Sequence, residues 1–334
     1  MKPEEFEKEI REGGVGSLYY IYGDEPYLVE RGVKLLLARA VSPEFREFNL
    51  NVYYGAEAKG TEIVEAAQTL PMFAERRVVV VKKSGALSAA ALDILAGYVQ
   101  DPSPSTCLIF QGEKIDQRKK FFLDVKKNGQ LVEYKRLFEN QLGVFIRNET
   151  AAYGKKAEPA AVEMLVHFIG NNLQELAAQV EKVATYVGER STIKVDDIRQ
   201  VASDTKVDTV FDLANALGEK NLGKALRSLH TILRDGEAPL MLLAMVTRHF
   251  RQLRLVRELL EKKMPSPEIS KAAGIHPYFV TGVMAQAKNY RLPDFKIIFE
   301  RLYATDLALK TSGGRGYDLM ERLAMDICSQ KMNP

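Results

Sequence analysis

The first residues that could do chemistry lie where a phosphate loop would stand. The β-rich run Leu18-Tyr19-Tyr20-Ile21-Tyr22 passes straight into Gly23-Asp24-Glu25-Pro26-Tyr27-Leu28. A strand-to-helix loop that cradles phosphates reads G-x-x-x-x-G-K-[ST], and here the second glycine, the lysine and the hydroxyl are missing from their register. Pro26 suits the first turn of a helix, and Asp24 or Glu25 can cap its free N–H groups. The chain thus sets its own carboxylate where a phosphate would bind and repels a triphosphate. The run Val78-Val79-Val80-Val81 makes the same point with opposite sign. A strand of this kind should end in acids that hold Mg²⁺, but it ends in Lys82-Lys83, and ammonium groups cannot ligate a cation. Gly23, Asp24, Glu25, Lys82 and Lys83 therefore mark a degenerate nucleotide site that is expected not to bind nucleotide.

Other chemistry finds no constellation. His167, His230, His249 and His276 are scattered, with no H-x-x-x-H spacing and no acid partner at ligand distance, so structural roles are expected and no catalytic triad can be drawn. Cys107 lies in an apolar run and Cys328 near the C-terminus, with no C-x-x-C; neither a zinc site nor a disulfide framework is indicated. Gly313-Gly314-Arg315-Gly316 lacks the strand that a dinucleotide loop needs and reads as a turn. No catalytic residue, no metal ligand and no cofactor is expected.

The elements around these residues follow from periodicity. Strands are expected over 18–22, 48–54, 77–82, 106–110 and 131–134, with the valine run buried on both faces and central. Helical spacing occupies 27–40, 61–68, 86–98 and 119–128 between them. The alternation predicts an α/β domain with a mostly parallel sheet. Beyond residue 137 no strand is expected, and apolar residues recur at three and four, as in Leu173, Leu176, Ala177, Val180, Val183 and Ala184. The polar stretch Ala202-Ser203-Asp204-Thr205-Lys206 interrupts that pattern. Three domains are expected, 1–137 α/β and 138–206 and 207–334 all-helical.

Composition bounds the possibilities. With 334 residues, 46% apolar and 27% charged, the chain is of ordinary globular make-up. A net charge of +3 offers no broad basic field, so any nucleic-acid contact must be local. The mixed-charge start Met1-Lys2-Pro3-Glu4-Glu5 has no apolar signal region, and the longest apolar stretch, 240–246, is far short of the ~20 residues a spanning helix needs. A cytoplasmic protein without a membrane span is expected.

An α/β domain followed by a small helical one is the layout of AAA+ ATPases, here with its nucleotide site disarmed. The run Gln68-Thr69-Leu70-Pro71-Met72-Phe73-Ala74-Glu75-Arg76-Arg77, leading into the valine strand, resembles the delta subunit family of the bacterial DNA polymerase III clamp loader. So do Tyr20-Ile21-Tyr22-Gly23-Asp24-Glu25-Pro26-Tyr27-Leu28, Glu181-Lys182-Val183-Ala184, Val210-Phe211-Asp212-Leu213 and Asp306-Leu307-Ala308-Leu309-Lys310, in the same order. The resemblance implies an AAA+-like domain, a helical lid and a helical collar. It implies a subunit that binds and opens the sliding clamp while neighbouring subunits hydrolyse ATP. It places Gln68, Leu70, Met72 and Phe73 on the family's clamp-binding element. Pro71 stops the preceding helix, which leaves a flexible thioether and a flat ring on a turn, suited to an apolar pocket. The implied partners are the sliding clamp, the other subunits of a hetero-oligomeric loader ring, and primer-template DNA through the assembled complex.

Two competing readings remain at this level. One is a divergent but active AAA+ ATPase, disfavoured by the missing lysine. The other is a DNA-binding regulator with a helix-turn-helix over 268–288, disfavoured because Tyr278, Phe279, Val280, Val283 and Met284 suit a core better than a groove. Arg248, Arg251, Arg254 and Arg257 recur every three residues; a solvated face is expected, with a subunit interface as the second reading. Asp306 and Lys310 are spaced for a helical ion pair.

Overall fold

Leu18–Tyr22 (β1), Leu50–Tyr54 (β2), Arg77–Lys82 (β3), Thr106–Gly112 (β4) and Gln130–Glu133 (β5) form one sheet in the order β2-β3-β4-β1-β5. Every pairing in it is parallel. The structure is a computed structural model that describes residues 1–203, 206–311 and 316–329. The chain divides into two compact units, Met1–Leu137 and Phe138–Pro334. Asp204 and Thr205 of the expected boundary stretch, and Gly313, Gly314 and Arg315 of the expected turn, lie outside the described residues.

In the first unit, β1, β3 and β4 are almost continuously apolar because both faces are covered. One face, with Tyr20, Val79, Val81, Leu108 and Phe110, is buried under Gly60–Gln68, Ala89–Gln100 and Lys120–Asn128. Pro3–Arg11 and Pro26–Ala40 serve the other face, where Phe6 meets Tyr19 edge-on at 5.8 Å. The valine strand β3 is interior, as expected, but the middle position belongs to β4. Two adjacent strands buried on both faces look alike in sequence, so a valine run cannot rank them. Pro3–Arg11 was not among the expected helices, although Phe6 and Ile10 stand four apart and are both fully buried. Residues 48 and 49, expected in β2, belong instead to a single helical turn, Arg46–Asn49.

The second unit is helical from Glu139–Ala152 to Gly316–Cys328. Its larger core gathers Leu213, Leu229, Phe250, Leu253, Tyr290, Phe295 and Ile298. Leu173–Tyr186 buries Leu173, Leu176, Val180, Val183 and Ala184, the residues whose spacing announced it. Strand structure is not wholly missing beyond residue 137: Lys156–Ala157 and Thr192–Ile193 pair in parallel. Two residues on each side carry no alternation long enough to read in advance. No helix among the described residues is long and apolar enough to cross a membrane.

One close approach in the first unit depends on a missing side chain. After β1 the Tyr134 N–H donates to the Tyr22 carbonyl at 2.7 Å, which draws the chain after β5 against Gly23. Gly23 has φ 150°, and a Cβ there would lie 1.8 Å from the Tyr134 carbonyl oxygen. Neither the conformation nor the contact suits another residue. Gly23→Ala is expected to destabilise the first unit by at least about 2 kcal/mol, read as a lowered urea midpoint with an unchanged m-value; an unshifted midpoint would refute this account of the glycine.

Candidate functional site

The helix Gly60–Gln68 ends three residues before Pro71. Thr69 closes it, its N–H and its hydroxyl both donating to the Glu65 carbonyl, at 3.1 and 2.7 Å. The proline ring disfavours helical backbone at Leu70, so the chain leaves the helix extended and bends over residues 72–75 before β3 begins at Arg77. Gln68 is exposed on the last turn. Leu70 is 73%, Met72 50% and Phe73 77% exposed. The structure therefore brings the four expected residues together on one short surface segment, with none of them packed under its own helix. Burying a Met or Phe side chain stabilises by roughly 1.5–3 kcal/mol, a gain that this segment forgoes.

Sequence reasoning missed the residue that shapes the segment. Asn49 is fully buried, and its side-chain amide reads the Met72 backbone at both ends. Met72 N–H donates to Oδ1 at 2.7 Å, and Nδ2 donates to the Met72 carbonyl at 2.7 Å and to the Phe45 carbonyl at 3.0 Å. The next residue, Phe73, lies in the left-handed region at φ 56°, uncommon for a bulky side chain. Arg77, at the foot of β3, donates to the Phe48 carbonyl at 3.2 Å and to Asn51 Oδ1 at 3.0 Å. Arg76 donates to the Pro104 carbonyl at 3.1 Å. The two arginines thus tie the segment's far end to β2 and to the residues that precede β2 and β4. Phe45 and Phe48, 37% and 49% exposed, precede Asn49 in sequence and add apolar surface. The only local signal for Asn49 was a polar residue between apolar ones, which is too common to single out.

The expected nucleotide residues collect at the carboxyl ends of the strands, the usual crevice for ligands in parallel sheets. Gly23, Pro26, Glu30, Lys82, Lys83 and Lys114 line a cleft there. Asp24 does not cap the helix Pro26–Ala40; its carboxylate faces Lys114 Nζ at 3.5 Å. Glu25 occupies the cap position and is largely buried, without a side-chain cap hydrogen bond of good geometry. Burial raises its carboxyl above the ordinary range, partly offset by the Tyr27 N–H and the Arg136 charge. Lys83 adopts a left-handed conformation, φ 49°, and starts a single 3₁₀ turn. Gly23 serves a close contact with Tyr134.

The remaining sequence features resolve into packing. His249 is buried, its Nε2–H donates to the Gln286 Oε1 at 2.8 Å, and the Gln286 amide nitrogen donates to Asn215 Oδ1 at 2.8 Å. Burial pushes the His249 imidazole down to about 4. The helix Pro277–Ala287 buries Val280, Val283, Gln286 and Ala287, so a base-reading face is not available on that side. The arginine row is divided. Arg248 donates to the Val166 and His167 carbonyls at the end of Pro159–Ile169, at 3.0 and 3.2 Å. Arg254 and Arg257 pair with Glu258 and Glu261 one turn on, at 2.9 and 3.2 Å. Lys310 and Asp306 form the expected pair at 2.6 Å. Both cysteines are buried, with their thiols pushed up by burial, and no cluster of metal-ligating side chains occurs among the described residues.

Comparison with known proteins adds an independent line. Residues 19–135 match the family model of the DNA polymerase III delta subunit, and residues 207–327 match that of its C-terminal domain. A DNA polymerase III subunit delta from Bacillus subtilis (strain 168) is 26% identical over 314 residues, covering 91% of this chain and 90% of the relative. A probable DNA polymerase III subunit delta from Aquifex aeolicus (strain VF5) is 22% identical over 275 residues, 79% of this chain and 77% of that one. Among solved structures, the DNA clamp loader delta protein of Bacillus subtilis superposes with a TM-score of 0.60 at 25% identity, covering 98% of this chain and 99% of its own. Two matched domains in the right order span more than two thirds of the 334 residues and agree with the parallel five-stranded sheet and the helical second unit: the chain belongs to the DNA polymerase III delta subunit family.

Proposed function

We propose that this chain is the subunit of a clamp loader that grips and opens the sliding clamp, with Gln68, Leu70, Met72 and Phe73 as the contact. The observation that carries this reading is the exposure of Leu70, Met72 and Phe73 on a segment anchored at both ends. Apolar anchors presented to water on a held backbone are what a partner's pocket selects. The partner subunits of a hetero-oligomeric loader ring, and primer-template DNA reached through that assembly, follow from the family's role. Within the second unit, 138–206 is proposed as the lid and 207–334 as the collar.

The mechanism needs no bond-making by this chain. A wedge that binds the open clamp better than the closed one shifts the opening equilibrium by the difference in affinity. Turning a 1:99 population into 99:1 takes about 5.5 kcal/mol. Two buried anchors at ~2 kcal/mol each supply most of that if their pocket is fully engaged only in the open form, and Leu70 with Gln68 can furnish the rest. ATP chemistry is assigned to neighbouring subunits. In support, Asp24 and Glu25 stand at the start of the helix that would receive the phosphates, and Gly23 is spent on contact with Tyr134.

Three measurements test this. Met72→Ala together with Phe73→Ala should reduce affinity for the organism's sliding clamp by at least about 30-fold per residue, leave the thermal midpoint unchanged and preserve assembly with the other subunits; retained clamp binding would end the assignment. Titration calorimetry of the purified chain with ATP and Mg²⁺ should give no binding heat, and a saturable isotherm would restore the ATPase reading. The chain has no tryptophan, so Phe73→Trp provides a single reporter. Its emission should be freely quenched by acrylamide in the isolated chain and shielded once the clamp is added; shielding in the isolated chain would place the ring in the chain's own core.

A further inference from the structure

We propose that Asn49 is a positioning residue for the clamp-binding segment: its buried amide sets the backbone of Met72 and thereby the direction in which Met72 and Phe73 are presented. The inference rests on the clamp-binding reading and adds the part of the chain that makes it work.

The geometry is that of a backbone-mimicking clasp. An asparagine amide carries one acceptor and two donors in a plane. Here the acceptor takes the Met72 N–H at 2.7 Å, while Nδ2 is shared between the Met72 carbonyl at 2.7 Å and the Phe45 carbonyl at 3.0 Å. One residue of the loop is thus bonded through its N–H and its C=O, as if a strand lay beside it, by a side chain 23 positions earlier in sequence. Asn49 has no exposed surface, so leaving any of these groups without a partner is costly in a way that water cannot relieve. Immediately after the clasp, Phe73 holds φ 56°. Such conformations persist only where the surroundings over-determine them and gather at binding segments. Without the clasp, Phe73 is free to return to ordinary φ, which swings its ring away, and the loose segment must be ordered again at each encounter.

The other side-chain bonds near the loop do not duplicate this. Arg76 and Arg77 bond outward from the segment's end to Pro104, Phe48 and Asn51, and Thr69 bonds back to Glu65. Neither touches the backbone between Leu70 and Phe73. A carboxylate in place of the amide keeps the acceptor for the Met72 N–H but sets negative charge against two carbonyl oxygens. Asn49→Asp and Asn49→Ala should therefore both fail, and a wholly structural residue would fail differently.

The test uses the full chain and the organism's sliding clamp, with hydrogen exchange followed peptide by peptide. Asn49→Ala and Asn49→Asp are each expected to weaken clamp binding about tenfold, with deuterium uptake accelerated over residues 70–74 while 50–54 and 77–82 keep their protection. Met72→Ala with Phe73→Ala, measured alongside, separates the two claims. If that double variant binds the clamp normally, the clamp-binding reading itself falls. If it loses binding while both Asn49 variants retain wild-type affinity, only the positioning role falls. Loss of protection spreading through 50–54 and 77–82 in both Asn49 variants would make Asn49 a support of the sheet and would also overturn the proposal. So would rapid exchange of the Met72 amide in the unsubstituted chain, a result that needs no variant to be folded.

Discussion

The bonds from Asn49 to the Met72 backbone reconcile two opposed demands on one short segment. Apolar side chains gain by burial, and a loop beside a sheet with a large core would ordinarily fold its Leu, Met and Phe back onto that core. A binding element requires them outside. Proline at 71, the closed helix end at Thr69 and the amide of Asn49 all act on the backbone path along which Leu70, Met72 and Phe73 stay exposed. The energy forgone by exposure in the free chain is the energy on offer to a partner.

That path exists because the sheet is rigid. Asn49 closes a helical turn just before β2, and Met72 stands five residues before the start of β3. These strands are adjacent and parallel, with Leu50 opposite Val78. Adjacent parallel strands start at the same edge of the sheet, so the residues preceding them meet there. The candidate contact thus sits at the amino-terminal edge, away from the carboxyl edge where Gly23, Lys82 and Lys83 line a cleft. At the crevice, Gly23 has become a packing glycine and Asp24 an ion-pair partner of Lys114.

The second unit shows how polar residues in helices are absorbed by packing. Gln286, a residue that could read a base, is turned inward to His249 and Asn215. Arg248 caps carbonyls at the end of another helix rather than facing solvent or a ligand. A stripe read by spacing alone therefore overstates its own uniformity: four arginines in a row of threes have at least two different employments.

Much of the protein was determined by short-range pattern. Buried strands announce themselves by β-branched and aromatic runs, amphipathic helices by spacing of three and four, and a missing lysine after a strand speaks directly about phosphate. The candidate contact was legible too, because Pro71 and the bare apolar residues after it act within a few positions, and the family resemblance gave them a role. What the tertiary structure decided was everything that depends on residues distant in the chain meeting in space. It set β4 rather than β3 at the middle, since only pairing ranks two equally apolar strands. It paired Asp24 with Lys114 and pressed Gly23 against Tyr134, contacts spanning 90 residues and more. It also brought Asn49 to Met72, because a single buried amide has no periodicity to betray it and acquires meaning only when two strands come into register.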